Sequence, residues 1–458
     1  MESTFCSSLI PGTLQRKAFQ PIVQQLSLEE DELPTPEHFL TFLKSVCNPT
    51  QHINQVKQKE SNGKQKSPHA PVRHFCPDAY EGLQQSKRTI EHPMVSPHWE
   101  TYKRYTNPYE LVYVSTLRNA TEFRTIRRHN PLSRAYYKMI EMIVSYGLCD
   151  LSCSQPTSTL HLCEGPGGFV QALCDVRTHP NDRFVGITLM DNVDWIPAWK
   201  RIKTSRWNDS RFHICYGYDN TGNLLNPNHV SDLLKCNKKK KYDLITGDGG
   251  FDFSASFDTQ EDDAFSLIVS QVFYMLSCQK KGGHAVLKLF DTFNRSTVQL
   301  IALLSDCYES IIITKPNTSR PANSERYLIC KNFQGVLDIT LEALYLGMTA
   351  QCFTHCSSLM GITCYPTILK WLQTYTQEFT AVQQTVIKDT VQAILLHSRQ
   401  SKEDVDMMKQ TVYESQESIA THWYDTMIEH IRRNQSIDTC KKHKKDVSFS
   451  STALQSPV

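Results

Sequence analysis

Lys288 stands inside an otherwise apolar run, His284-Ala285-Val286-Leu287-Lys288-Leu289-Phe290. A lysine buried in such a strand is costly unless it is paired or neutral. Burial lowers the pKa of an ammonium, and the resulting amine can act as a general base. A second ammonium nearby would depress it further. Lys138, in Ser133-Arg134-Ala135-Tyr136-Tyr137-Lys138, is a candidate for that part, although its helical spacing alone suits a solvated face. Asp248 closes another apolar strand and is flanked by Gly247, Gly249 and Gly250. A carboxylate among glycines at the carboxyl end of a strand points into a crevice and is an expensive choice for packing. Glu325 introduces the last strand of the alternating region and is unremarkable on its own.

A glycine-rich turn, Glu164-Gly165-Pro166-Gly167-Gly168-Phe169, directly follows the strand Thr159–Cys163. Strand, tight turn and helix together create a crevice at the carboxyl end of the strand. Missing side chains at Gly165, Gly167 and Gly168 would let a ligand approach the backbone. Pro166 stiffens the turn, and Glu164 offers a carboxylate at the crevice edge. The spacing is not GxGxxG, which argues against a dinucleotide. Two further turns lie where the same ligand would extend. Asp191, after the second strand, would accept ribose hydroxyls. Asp219, in Tyr218-Asp219-Asn220-Thr221-Gly222, would accept from an adenine amino group. Plain turn use is the competing reading for both aspartates.

Five segments occur here in one order: SRAYYK, CEGPGGF, DLITGDGGF, GGHAVLKLF and KPNTSRPANSERYLI. Together they resemble the FtsJ-like ribose 2′-O-methyltransferases. The Glu164–Phe169 turn, the loop Gly217–Gly222 and the strand end Thr246–Asp252 look most like the Adrift-type, cap-modifying branch. The resemblance covers roughly residues 95–335. It implies that Lys138, Asp248, Lys288 and Glu325 are a catalytic tetrad. It implies S-adenosyl-L-methionine as cofactor, held at Gly165, Gly167, Gly168, Asp219 and Asp248, to which the reading of the turns adds Glu164, Pro166 and Asp191. It implies RNA as partner, specifically the capped 5′ end of mRNA, with other capping or transcription components beside it. On this reading Lys288 is the general base, kept partly neutral by burial and by Lys138. Two alternatives stand beside it: the same chemistry on ribosomal or transfer RNA, and a non-catalytic RNA-binding subunit of a capping assembly.

These residues need a scaffold, and the pattern supplies one. Between 131 and 334 apolar strands alternate with helical segments. Helices are expected at Leu132–Tyr146, Phe169–Val176, Ala264–Cys278 and Val298–Leu304. Strands are expected at Thr159–Cys163, Phe184–Leu189, Phe212–Tyr216, Tyr242–Thr246, His284–Leu289, Ser310–Thr314 and Tyr327–Cys330. Such alternation predicts an α/β fold, a mostly parallel seven-stranded sheet with helices on both faces. The resemblance makes it a Rossmann-like methyltransferase fold. Residues 1–72 form an N-terminal extension whose polar, Gln- and Lys-rich end suits a flexible linker. Residues 73–130 are a flank of aromatic and basic residues. Residues 335–440 read as helical, with apolar positions recurring over Leu337–Leu346 and Thr367–His397. Residues 441–458, basic and then Ser-rich, suit a disordered tail. No internal repeat is present.

The formal net charge is only +2, so attraction for nucleic acid must come from local patches. The best is the stretch from Trp99 to Arg134, where Trp99, Tyr102 and Tyr105 offer rings to stack bases. Arg124, Arg127, Arg128 and Arg134 are the candidates for phosphate contacts. Lys238-Lys239-Lys240-Lys241 enters the fourth strand at the far edge and reads as a solvated loop. The sixteen cysteines show no disulfide framework, which suits reduced core thiols in an intracellular protein. Cys352, His355, Cys356 and Cys364 do not match a zinc-finger spacing, and no metal is expected. Neither a leader nor a membrane-spanning run is apparent.

Overall fold

A computed structural model describes residues 75–113, 131–190, 199, 208–250, 259–354, 356, 358–359, 362, 364–397 and 401–450, with side chains in the last stretch as far as 435. The expectations for residues 1–72, Arg124, Arg127, Arg128, Asp191 and His355 lie outside the described residues.

Strands β1 (Ser158–Leu162), β2 (Arg183–Ile187), β3 (Phe212–Ile214), β4 (Tyr242–Gly247), β5 (Gln279–Leu289), β6 (Tyr308–Thr314) and β7 (Arg326–Phe333) form one sheet in the order β3-β2-β1-β4-β5-β7-β6. The first five pair in parallel, and β7 runs antiparallel to both β5 and β6. The chain winds one way from β1 to β3 and the other way from β4 onward. The switch point therefore lies between β1 and β4, where open α/β sheets form their ligand crevice. The glycine turn leaves β1 at that point, and Asp248 leaves β4.

The helices follow the expected plan, with better-defined ends. They are α1 (Pro77–Ile90), α2 (Ser96–Tyr105), α3 (Ala135–Tyr146), α4 (Gly168–Val176), α5 (Val230–Cys236), α6 (Gln260–Cys278), α7 (Arg295–Cys307), α8 (Asp338–Thr349), α9 (Pro366–His397) and α10 (Lys402–Ser450). Helix α3 stops at Gly147, whose φ of +59° is a left-handed cap that glycine adopts at little cost. Helix α6 opens with Glu261, Asp262 and Asp263 in its first turn, where carboxylates complement the helix dipole. The basic run Lys441–Lys445 was expected to lack structure, yet α10 continues through it to Ser450. No glycine or proline interrupts residues 402–450 to stop it.

Strand parity sorts the core into two layers. Leu160, Leu162, Val185, Ile187, Ile245, Ala285, Leu287, Leu328 and Cys330 pack on the side of α6 and α7. Phe184, Leu244, Val286, Tyr327 and Ile329 pack on the side of α3 and α4. Asp248 shares the parity of Leu244, Lys288 that of Val286, and Glu325 that of Tyr327. Three of the candidate residues are thus directed to the layer that contains α3 and Lys138. All described cysteines are free, and no helix among the described residues is long and apolar enough to cross a membrane.

The flanks join both layers instead of standing apart: Leu344 and Met348 of α8 and Ile368, Trp371 and Leu372 of α9 pack on the first, and α1, α2, the later part of α9 and α10 on the second. Trp99, Tyr102 and Tyr105 of α2 are buried, and Leu83 of α1 is wholly inaccessible. These rings pack in the same cluster as Tyr136, Tyr137, Ile387 of α9 and Trp423 of α10. They are core residues, which corrects the expectation that they stack bases. Helix α9 lies on α1 and α2, while α10 lies on α3 and the 3-10 turn Glu110–Val112.

Glu110 in that turn is buried and accepts from Arg320 at 3.2 and 2.9 Å and from Arg134 at 3.1 Å. Burial alone would raise its pKa, but the two guanidiniums hold it below the ordinary carboxylate value. Its stabilisation is complete above that ordinary value and is lost as pH falls through the depressed one. Glu110→Gln should cost about 3 kcal/mol, at the low end for a broken buried pair because both arginines keep some water contact. The urea midpoint should fall at constant m-value.

Candidate active site

The glycine turn is shaped from within. Glu164 is buried, and its Oε1 accepts from the backbone N–H of Phe169 at 2.6 Å and of Val170 at 3.0 Å. It therefore caps α4 from the preceding strand end. Gly167 has φ +110°, a conformation that suits glycine. Gly168 has a different reason. A Cβ there would lie 2.2 Å from Ser133 Oγ, 2.9 Å from Ala135 Cβ and 3.0 Å from the Tyr136 backbone nitrogen. Its bare backbone admits the start of α3. Gly168→Ala should destabilise the fold by about 1–3 kcal/mol, measurable by thermal unfolding.

Glu164 Oε2 has no hydrogen-bond partner among the described residues. Burial raises the Glu164 pKa well above the ordinary value, and the nearby Asp248 carboxylate raises it further. A buried carboxyl group with an unused oxygen, next to a second carboxylate, suits a cationic ligand. The sulfonium and ammonium of S-adenosylmethionine fit that requirement. The α4 N-terminus and Glu164 would hold such a group.

The loops after β2 and β3 close against each other. Met190 N donates to Thr221 O at 2.7 Å, and a Cβ on Gly222 would meet Thr188 O at 2.0 Å. Asp219 Oδ1 accepts from Thr221 N and Oγ1, at 3.0 and 2.7 Å, and its Oδ2 accepts from Asn226 Nδ2 at 2.8 Å. Desolvation works to raise its pKa, but these donors and nearby His229 together outweigh it and bring it down to about 2. Asp219 is a fixed anion that organises its own loop. The lone pairs it retains are what it can offer an adenine.

Lys138, Asp248, Lys288 and Glu325 come together at the edge of the crevice. Lys288 lies in the central strand β5, opposite Tyr327 of β7, so it is not an edge lysine. Its Nζ donates to the Asp248 carbonyl at 2.7 Å and lies 3.3 Å from Asp248 Oδ1. Tyr327 Oη donates to the same Oδ1 at 3.1 Å. Lys138 Nζ meets Glu325 Oε1 at 2.6 Å, where Ser319 Oγ also donates at 2.7 Å. Lys138, Lys288 and Lys315 together overcome desolvation and hold Glu325 well below its ordinary pKa.

The charge state of Lys288 differs from the sequence expectation. Burial works to lower its pKa, but Asp248 and then Glu325 prevail, and the net shift is upward. The sequence argument weighed burial without the two carboxylates. The two carboxylates therefore favour the ammonium.

Arg134 also differs from expectation. Its guanidinium donates to Glu110, to the Tyr113 carbonyl at 3.1 Å and to the Thr318 carbonyl at 3.0 Å. Those donors are committed inside the protein, so Arg134 braces the loop before Glu325 instead of reaching a phosphate. Tyr327, Ser319 and Lys315 were not singled out from sequence. Tyr327 had one signal, its place two residues beyond Glu325 on the same face of an alternating strand.

Residues 131–333 match the family described as FtsJ-like methyltransferase. A cap-specific mRNA (nucleoside-2′-O-)-methyltransferase from Autographa californica nuclear polyhedrosis virus is 35% identical, over 39% of this chain and 66% of the relative. A cap-specific mRNA (nucleoside-2′-O-)-methyltransferase 1 from Leishmania braziliensis is 33% identical, over 44% of this chain and 53% of the relative. An inactive cap-specific mRNA (nucleoside-2′-O-)-methyltransferase 1B from Caenorhabditis briggsae is 32% identical, over 38% of this chain and 20% of the relative. The chain thus spans less than two thirds of the length of these relatives.

Proposed function

We propose that the chain transfers a methyl group from S-adenosylmethionine to a ribose 2′-hydroxyl of RNA, at the capped 5′ end of mRNA. One observation carries the reading: two amines and two carboxylates, far apart in sequence, gather beside the glycine turn at the sheet's switch point. The cap assignment draws on the printed names of the relatives.

The cofactor, when bound, supplies an electrophilic methyl group on a sulfonium. Lys288 takes the proton of the attacking hydroxyl in its amine form. Asp248 fixes Lys288 through two oxygens and is itself fixed by Tyr327. Lys138 and Glu325 form the other side of the site and orient the hydroxyl toward Lys288. Positive charge brought into the cleft opposes the carboxylates and moves Lys288 toward the amine.

A methyl-transfer assay with labelled cofactor and matched capped and uncapped short RNAs tests the reading. Transfer that requires the cap supports it. Equal transfer to both RNAs would favour the ribosomal or transfer RNA alternative. RNA binding without transfer would favour a non-catalytic subunit, a reading to which the relative named inactive lends weight.

A further inference from the structure

Lys315 follows β6 and opens the loop that ends at Glu325. It is buried, and its Nζ reaches three acceptors: the Asn323 carbonyl at 2.9 Å, the Asn323 Oδ1 at 2.5 Å and the Glu325 carbonyl at 2.6 Å. Three acceptors match the three N–H donors of an ammonium. The ring of Phe379, on α9, covers it at 5.4 Å and stacks on the Arg326 guanidinium at 3.8 Å. Arg326, next in sequence to Glu325, is itself held by Asp291 at 3.0 Å.

A lysine in this position is expensive. Burial, only partly opposed by Glu325, pushes its amine down to about 7. A loop that needed only closing could use a neutral donor without that cost. The three bonds all fall on residues 323 and 325, on either side of Ser324. They fix the backbone that directs the Glu325 carboxylate to Lys138.

We propose that Lys315 is a positioning residue for methyl transfer: from outside the reaction cleft it sets the backbone of Glu325, and through Glu325 the placement of Lys138. This deepens the reading under Proposed function and rests on it. A positioning role through one partner has a signature that a general packing role lacks, namely that its cost disappears when the partner is already disabled.

The test uses the full chain, with Lys315→Met, Glu325→Gln and the double variant, each confirmed folded by circular dichroism. Lys315→Met keeps the bulk and removes the three donors. The turnover number should fall about 10- to 100-fold, with KM for RNA and the cofactor dissociation constant changed less than about threefold. In the Glu325→Gln background the same change should cost less than about twofold. Wild-type turnover in folded Lys315→Met would overturn the proposal, as would an undiminished cost in the Glu325→Gln background. If Lys315→Met does not fold, Asn323→Ala removes one acceptor and is read by the same criteria. A wild-type chain that transfers no methyl, or a Glu325→Gln variant with full turnover, would instead defeat the tetrad reading itself.

Discussion

Lys288→Ala is expected to lower the methyl-transfer rate about 1000-fold, within the range for removal of a general base, while cofactor affinity changes by less than about threefold. The separation follows from position. Lys288 makes its contacts to Asp248, which the proposed function puts beside the hydroxyl, whereas that proposal gives the α4 N-terminus and Glu164 to the cofactor. The substitution also leaves the Asp248 carboxylate with Tyr327 but no cation beside it, so some stability is lost and folding is confirmed before rates are compared. Single-turnover rates and a separate titration of cofactor binding measure the two effects. Turnover that survives in a folded variant would remove Lys288 from the chemistry.

The second large effect concerns pH. Asp248 and Glu325 raise the Lys288 pKa, so the amine needed as base is scarce at neutral pH and increases as pH rises. The turnover number of the wild type should therefore climb with pH toward the alkaline side. Asp248→Asn removes the stronger of the two carboxylate effects on Lys288. The sign follows directly: less stabilisation of the ammonium, a lower pKa, and an inflection displaced toward lower pH. The plateau rate should fall by about 100-fold in the same variant, because Lys288 keeps its bond to the backbone carbonyl of residue 248 but loses the charged partner that fixes it on the other side. A profile whose inflection stays in place when Asp248 is neutralised would assign the titration to another group.

Much of the scaffold could be read from the sequence, because strand and helix periodicity are local. Thr159–Cys163 and Tyr242–Thr246 were placed within a residue or so of β1 and β4. β5 begins earlier than the apolar run suggested, since Gln279 already pairs with Tyr242. The gathering of Lys138, Asp248, Lys288 and Glu325 was accessible through family resemblance and agrees with strand parity. What escaped were effects that depend on neighbours distant in sequence. The charge of Lys288 depends on two carboxylates held 40 and 37 residues away in the chain, and burial alone pointed in the wrong direction. Arg134 looked like a phosphate ligand until Glu110 and the Thr318 carbonyl were placed beside it. The aromatic residues of α2 are as consistent with a core as with a stacking surface, and only their burial under α9 and α10 decides between the two.

The seam between the C-terminal helices and α3 has a practical consequence. Tyr424 Oη of α10 hydrogen-bonds Tyr137 Oη at 2.7 Å, and Gln383 of α9 donates to the Ala322 carbonyl at 3.0 Å, three residues before Glu325. The stretch recognisable by family likeness is therefore not a unit that can be cut out and expected to behave. A fragment confined to 131–333 would carry an aromatic wall stripped to solvent and a carboxylate loop with its clamp removed. Such a piece should precipitate or lose its uniqueness of shape, and engineering by homology trimming would discard the segments that keep the reactive edge rigid.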